Sequence, residues 1–211
     1  MSKKQALTEF HRGSILAAAE RLFAEKGTDK TTMDDIAREA EYSKATLYVY
    51  FQSKEEIINA ILLSGMVLLK KKLHEAIESH PDWFQAYDAV CRAIVRFYDE
   101  NPTAYDAATG SIPLTQDGEG GQKGMADILR VSDEIEQELS DFLVRGAAEG
   151  AVRSQLHPME TVLLFWSALS GMVHTAERRE DYIQRTLGIS REEYLQHGAR
   201  LLLASLTKAN I

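Results

Sequence analysis

Apolar positions recur at helical spacing along nearly the whole chain, and alternation of the strand type bounded by turn residues is absent. Ile15, Leu16, Ala19, Leu22 and Phe23 make one stripe, and Lys26 followed by Gly27 reads as its end, with Gly27 as the left-handed residue past a helix C-terminus. A short helix carrying Ile36, Ala37 and Ala40 follows, with Thr31 and Thr32 offering a cap. Tyr42 and Ser43 make a turn, and Ser43 can cap a second short helix running through Phe51. Residues 53–56 have the capping-box form Ser-x-x-Glu and open a long helix with Ile57, Ile58, Ile61, Leu62, Leu69, Leu73 and Ile77 inward.

Pro81 breaks the chain before a helix carrying Trp83, Tyr87, Val90, Cys91, Ile94 and Phe97, which Pro102 ends. A short segment at 105–109 leads to 110–124, where five glycines predict a mobile loop. An amphipathic helix over 125–149 closes at Gly150. Residues 158–179 are apolar nearly all round, the character of a helix covered on more than one side. Ser190 and Glu193 form a second capping box, opening a helix with Tyr194, Leu195, Leu201, Leu202 and Leu206. The expectation is an all-α fold of about nine helices: a three-helix head followed by a larger helical domain.

Composition narrows the class. The chain has 211 residues, of which 45% are hydrophobic, enough to bury a real core. The single cysteine, Cys91, leaves no internal disulfide and no multi-cysteine zinc site, which fits a cytoplasmic location. The N-terminus has no apolar run of signal-peptide length, and the longest greasy stretches, 57–69 and 162–173, fall short of the ~20 residues a membrane span needs. A formal charge of −8 argues against nucleic acid until its distribution is read. Through Lys54 there are nine basic side chains against eight acidic ones, a net of +1, so the acidity lies downstream.

The candidate chemistry sits at 32–51, two short helices joined by a tight turn, which is the layout that lays its second helix in the DNA major groove. Around that second helix, Leu47 and Phe51 fall together as the buried side. Lys44 and Tyr48 lie on one flank, Thr46 and Tyr50 on the other, and Ala45 and Val49 point away from the core. Small apolar groups suit thymine methyls, and Lys44 suits guanine O6 and N7. The hydroxyls of Ser43, Thr46 and Tyr50 suit phosphate oxygens, and Lys54 beside a helix N-terminus makes sense if both serve a phosphate. The local pattern alone equally describes an αα-hairpin that only packs.

The segment 31–55, TTMDDIAREAEYSKATLYVYFQSKE, resembles the TetR-family pattern TT…IA…AGVS.GTLY.YF.SKE, and the preceding LFAEKG at 22–27 is similar to that family's first helix. The match covers about the first 60 residues. It implies that Thr32, Ser43, Lys44, Ala45, Thr46, Tyr48, Val49, Tyr50 and Lys54 occupy DNA-facing positions. Two departures stand out: Glu41 replaces the usual turn glycine, and Ala45 replaces the second glycine.

The resemblance further implies a DNA-binding domain at 1–53 and, at 54–211, a helical domain that binds a small effector and dimerises through its last two long helices. Ser167, Ala168, Ser170 and Gly171 among bulky neighbours would let another helix approach closely, although a monomer's buried helix reads the same way. Met66, Leu69, Trp83, Tyr87, Cys91, Tyr105, Phe142, Trp166 and His174 are candidates for the effector pocket, each with plain core packing as the alternative. No metal site, cofactor motif or catalytic grouping is read. The His-x-x-Glu pairs at 157–160 and 174–177 lack the further glutamates of a di-iron bundle, and the glycines at 118–124 lack a strand before them and a Gly-Lys-Ser/Thr ending. The expected function is a homodimeric regulator on a palindromic double-stranded DNA operator, usually repressing and released by an effector. The alternative is a protein-interaction module on the same fold.

Overall fold

Ten helices and no strand follow one another in the described residues, 2–109 and 118–207, of the computed structural model. They are α1 (Lys3–Lys26), α2 (Met33–Glu39), α3 (Lys44–Tyr50), α4 (Lys54–Glu78), α5 (Trp83–Glu100), α6 (Pro102–Ala108), α7 (Gly118–Ala148), α8 (Pro158–Arg178), α9 (Glu180–Leu187) and α10 (Arg191–Leu206). The chain divides into two compact units, one of Met1–Leu68 with Asp99–Val131 and the other of Leu69–Tyr98 with Ser132–Ile211.

In the first unit Ser2 caps α1 in a full capping box with Gln5, starting that helix well before its apolar stripe. Ile15, Ala18, Ala19 and Phe23 of α1 are buried, as are Ile36 and Ala37 of α2, Leu47 of α3 and Ile57, Ile58, Ile61 and Leu62 of α4. Gly27 ends α1 at φ 83°, ψ 159°: φ is positive as expected, but ψ is extended rather than left-handed helical. Of the capping box at 53–56, half forms: the Glu56 amide donates to Ser53 Oγ, while the Glu56 carboxylate accepts from the Gln52 amide.

In the second unit α8 packs against α9 and α10. Gly150, at φ 79°, turns the chain out of α7, with the Ala151 and Val152 amides both donating to the Gly146 carbonyl. Two elements differ from expectation. The loop expected over 110–124 lies outside the described residues for 110–117, and 118–124 is instead the first stretch of α7. Each helical glycine costs roughly 0.5–1 kcal/mol against alanine, a cost that a helix of 31 residues absorbs. The additional helix is α9, eight residues that bury only Ile183 and expose Tyr182 and Leu187.

Candidate nucleic-acid interface

Thr32 caps α2 in a box with Asp35, whose carboxylate also receives Lys26 at 2.8 Å and Arg38 at 2.8 Å. The Lys26 ammonium first, and then the hydroxyl and amide of Thr32, hold the Asp35 carboxyl well below the usual carboxylate range. Helix α2 ends in a Schellman arrangement: the Tyr42 amide donates to the Ala37 carbonyl and the Glu41 amide to the Arg38 carbonyl. Glu41 is the left-handed residue of that motif at φ 61°, the one non-glycine with positive φ among the described residues. It stands where the resemblance puts a glycine, so the turn is kept at the cost of a strained side-chain-bearing residue.

Ser43 then caps α3, its Oγ accepting from the Thr46 amide and lying 2.8 Å from Thr46 Oγ1. Leu47 and Phe51 are fully buried, the inward pair expected from the wheel. On the outer side Ala45 is exposed, Tyr48 is exposed and Val49 is 75% exposed. Lys44 is exposed as well and pairs with Asp34 at 2.7 Å, which raises its pKa. A cation in the first turn of a helix meets the unfavourable end of the dipole, and Asp34 offsets that. Lys44, Ala45, Tyr48 and Val49 therefore share one solvent-facing surface, with Thr32 and Ser43 exposed beside it.

Two expected phosphate ligands have other engagements. Lys54 Nζ donates to the Thr28 carbonyl at 2.8 Å and the Thr31 carbonyl at 3.2 Å, stapling the start of α4 to the α1–α2 connection. Tyr50 is half-buried, its ring 5.4 Å from that of His11. Sequence reasoning missed His11 and Arg12 of α1. The signal was available for His11, which continues the buried stripe one turn before Ile15.

The effector candidates are divided between the units. Met66 and Tyr105 are buried in the first. In the second, Trp83 stacks on Phe142 with ring centroids 4.9 Å apart and on Tyr87 at 5.7 Å, and its indole N–H donates to the Phe142 carbonyl. The Tyr87 hydroxyl donates to the Ala199 carbonyl, tying α5 to α10. Cys91, beside Tyr87, has its thiol pushed up to about 12 by burial, the state of an inert small hydrophobe. Leu69 is buried; Trp166 and His174 are half-exposed on α8, with His174 edge-on to Tyr98. Against this aromatic group lies an apolar recess of about 20 Å³, lined by Tyr87, Val90, Phe142, Leu143, Val162 and Phe165 among others.

Helix α8 also carries an outward apolar face with Leu163 and Leu164 exposed, and α10 exposes Leu201 at 73%. Gly198 of α10 lies against the Met172 side chain of α8, whose sulfur would have to move aside for a Cβ there. His157 is the N-cap of α8, its ring accepting from the Glu160 amide. Among the described residues no group of three or more His, Cys, Asp or Glu is placed to hold a metal ion, and no helix is long and apolar enough to cross a membrane.

The first unit thus contains a helix-turn-helix, α2 and α3, with a solvent-facing second helix. Residues 15–61 match the family model of bacterial regulatory proteins of the tetR family. An uncharacterised HTH-type transcriptional regulator of Haemophilus influenzae is 28% identical over 100 residues, 47% of this chain and 53% of that protein, so the chain is matched over about half of that relative's length. The whole fold is similar to that of the TetR family transcriptional regulator PfmR of Thermus thermophilus (27% identity, TM-score 0.66, covering 92% of this chain and 99% of that one). It is also similar to that of FadR of Bacillus subtilis in complex with stearoyl-CoA (18% identity, TM-score 0.68, 92% and 98%). Over 15–61 the chain is thus similar to the tetR family, and its fold is similar to that of solved TetR family regulators.

Proposed function

We propose that this protein is a transcriptional regulator that binds a palindromic double-stranded DNA operator as a homodimer, most often repressing, and that a small molecule releases it. The observation that carries the reading is the sidedness of α3: Leu47 and Phe51 are fully buried while Ala45, Tyr48 and Val49 stand in solvent beside Lys44. Apolar groups exposed on so short a helix suit thymine methyls, and Lys44 suits a guanine edge. Thr32, Ser43 and Thr46 serve the phosphates on either side, with residues 1–53 as the DNA-binding domain and 54–211 as the effector and dimerisation domain, working in the cytoplasm. The outward apolar face of α8 and α10 supports a second copy as partner, because isologous packing of two helices from each chain would cover Leu163, Leu164 and Leu201.

The effector is an apolar molecule taken up beside Trp83, Tyr87 and Phe142. A recess of about 20 Å³ holds little more than a water, against roughly 300–1,000 Å³ for ordinary ligand pockets, so uptake must open the aromatic stack. A coupling of about 1–3 kcal/mol would change DNA affinity roughly 5–150-fold. The test is selection from a pool of random duplexes by the whole chain at moderate salt. An enriched inverted repeat is the expected result. A chain that enriches nothing but captures one stoichiometric protein partner would be the interaction module instead.

A further inference from the structure

Two successive residues of α1 hold the two ends of α3. His11 reaches the turn in front of it: Nδ1 lies 2.6 Å from the Tyr42 hydroxyl, and the two rings meet edge to face at 5.5 Å. The same imidazole lies against the Tyr50 ring. Arg12 takes the far end, where Nη1 donates to the Tyr50 carbonyl at 2.7 Å and the guanidinium lies 4.1 Å over the Phe51 ring. Tyr50 is the last residue of α3 and Phe51 its C-cap. The carbonyl that Arg12 takes is thus one that a helix end leaves unpaired, at the end of the dipole that favours a cation. Both residues precede the stretch 15–61 that the family model matches.

A helix of seven residues does not hold itself in place. The buried pair Leu47 and Phe51 keeps α3 down on the unit, but apolar contact is non-directional and leaves rotation about the helix axis weakly opposed. Directional bonds at both ends oppose that rotation, and the direction of Ala45, Tyr48 and Val49 depends on it. We propose that His11 and Arg12 are positioning residues of the DNA interface, setting the roll of α3 so that its outer side chains meet base edges in register. This rests on the DNA-binding reading of α3 given above. Base-edge contacts depend on angle whereas phosphate attraction is largely indifferent to it, so the clamp acts on specific binding and hardly on non-specific binding.

The experiment uses the whole chain, a duplex of about one operator length enriched by wild type from a random pool, and the same duplex scrambled, each titrated over a range of salt. Arg12→Met removes the carbonyl bond and the ring contact, and His11→Phe keeps a ring but loses the bond to Tyr42. Each is expected to weaken binding to the enriched duplex about tenfold, the size of one to two hydrogen bonds. The scrambled duplex should change less than about twofold and the salt slope should stay as in wild type. Arg12→Lys, which can still donate to the Tyr50 carbonyl, should recover part of the loss. Equal losses on both duplexes with a flatter salt slope would make Arg12 a direct phosphate ligand and overturn the proposal. Unchanged affinity on both duplexes, with only a lower melting temperature, would make the pair structural and overturn it too. If wild type enriches no duplex the DNA reading itself falls and takes the clamp with it, whereas variants that match a wild type that does enrich one sink the clamp alone.

Discussion

The indole of Trp83 occupies the space that a side chain on Gly146 would need: a Cβ there would collide with the indole nitrogen and with a Val152 methyl. Gly146 lies inside α7, where alanine would ordinarily gain about 1 kcal/mol of helix propensity. Overpacking a full core costs typically about 1–3 kcal/mol, so the clash outweighs the gain. Gly146→Ala is expected to lower stability by roughly 1–2 kcal/mol in urea unfolding. Gly13→Ala, in α1 where an added Cβ meets nothing within 4 Å, should raise it by about 0.5–1 kcal/mol in the same measurement. A rise in both would show that Trp83 is loosely held.

Glu41 holds a left-handed backbone with a side chain attached. That conformation costs a non-glycine residue about 1–2 kcal/mol, and glycine returns about half of it through its freer unfolded chain. Glu41→Gly is therefore expected to stabilise the first unit by up to about 1 kcal/mol in thermal unfolding. It also removes a carboxylate from the turn before α3, so affinity for duplex DNA should rise most at low salt. Glu41→Val, β-branched at the same φ, should destabilise.

Lys54 ties the start of α4 to the carbonyls of Thr28 and Thr31. Hydrogen bonds from a charged donor contribute about 1.5–3 kcal/mol, and two acceptors lose their partner together. Lys54→Met, which preserves the stem, is expected to lower stability by about 2 kcal/mol in urea unfolding, where an ordinary surface lysine would change it by less than about 0.5 kcal/mol.

The Asp35 carboxyl is held below its ordinary pKa by Lys26 and Thr32. A depressed folded-state value means that its contribution is complete above the unfolded pKa of about 3.9 and fades as pH falls toward the folded one. Acid unfolding followed by circular dichroism should show wild type losing stability below about pH 4. Asp35→Asn should begin less stable at neutral pH and lose less over that interval.

The helical pattern was legible wherever one face is apolar and the other wet, as in α1, α5 and α10, and the inward pair Leu47 and Phe51 followed directly from spacing. Helix α9 was not legible because its eight residues are too few for a helical period to stand out. The left-handed turn at Glu41 could be read only through a resemblance, since glutamate itself signals a helix interior. Lys54 read as a phosphate ligand because sequence shows a charge beside a helix start but not the carbonyls 23 and 26 residues earlier that receive it. Long-range polar pairing of that kind, like the reach of Arg12 to Tyr50, 38 residues on, has no periodic signature.

In the function proposed above, α3 reads DNA through Lys44, Ala45, Tyr48 and Val49. Binding of the enriched duplex and its scrambled counterpart by wild type and by the double variant Lys44→Ala, Tyr48→Ala, across a salt series, tests it most directly. The double variant, folded as wild type, is expected to lose at least about tenfold on the enriched duplex and far less on the scrambled one, as each good base contact is worth about 1–3 kcal/mol. Equal affinity of variant and wild type for the enriched duplex would contradict it.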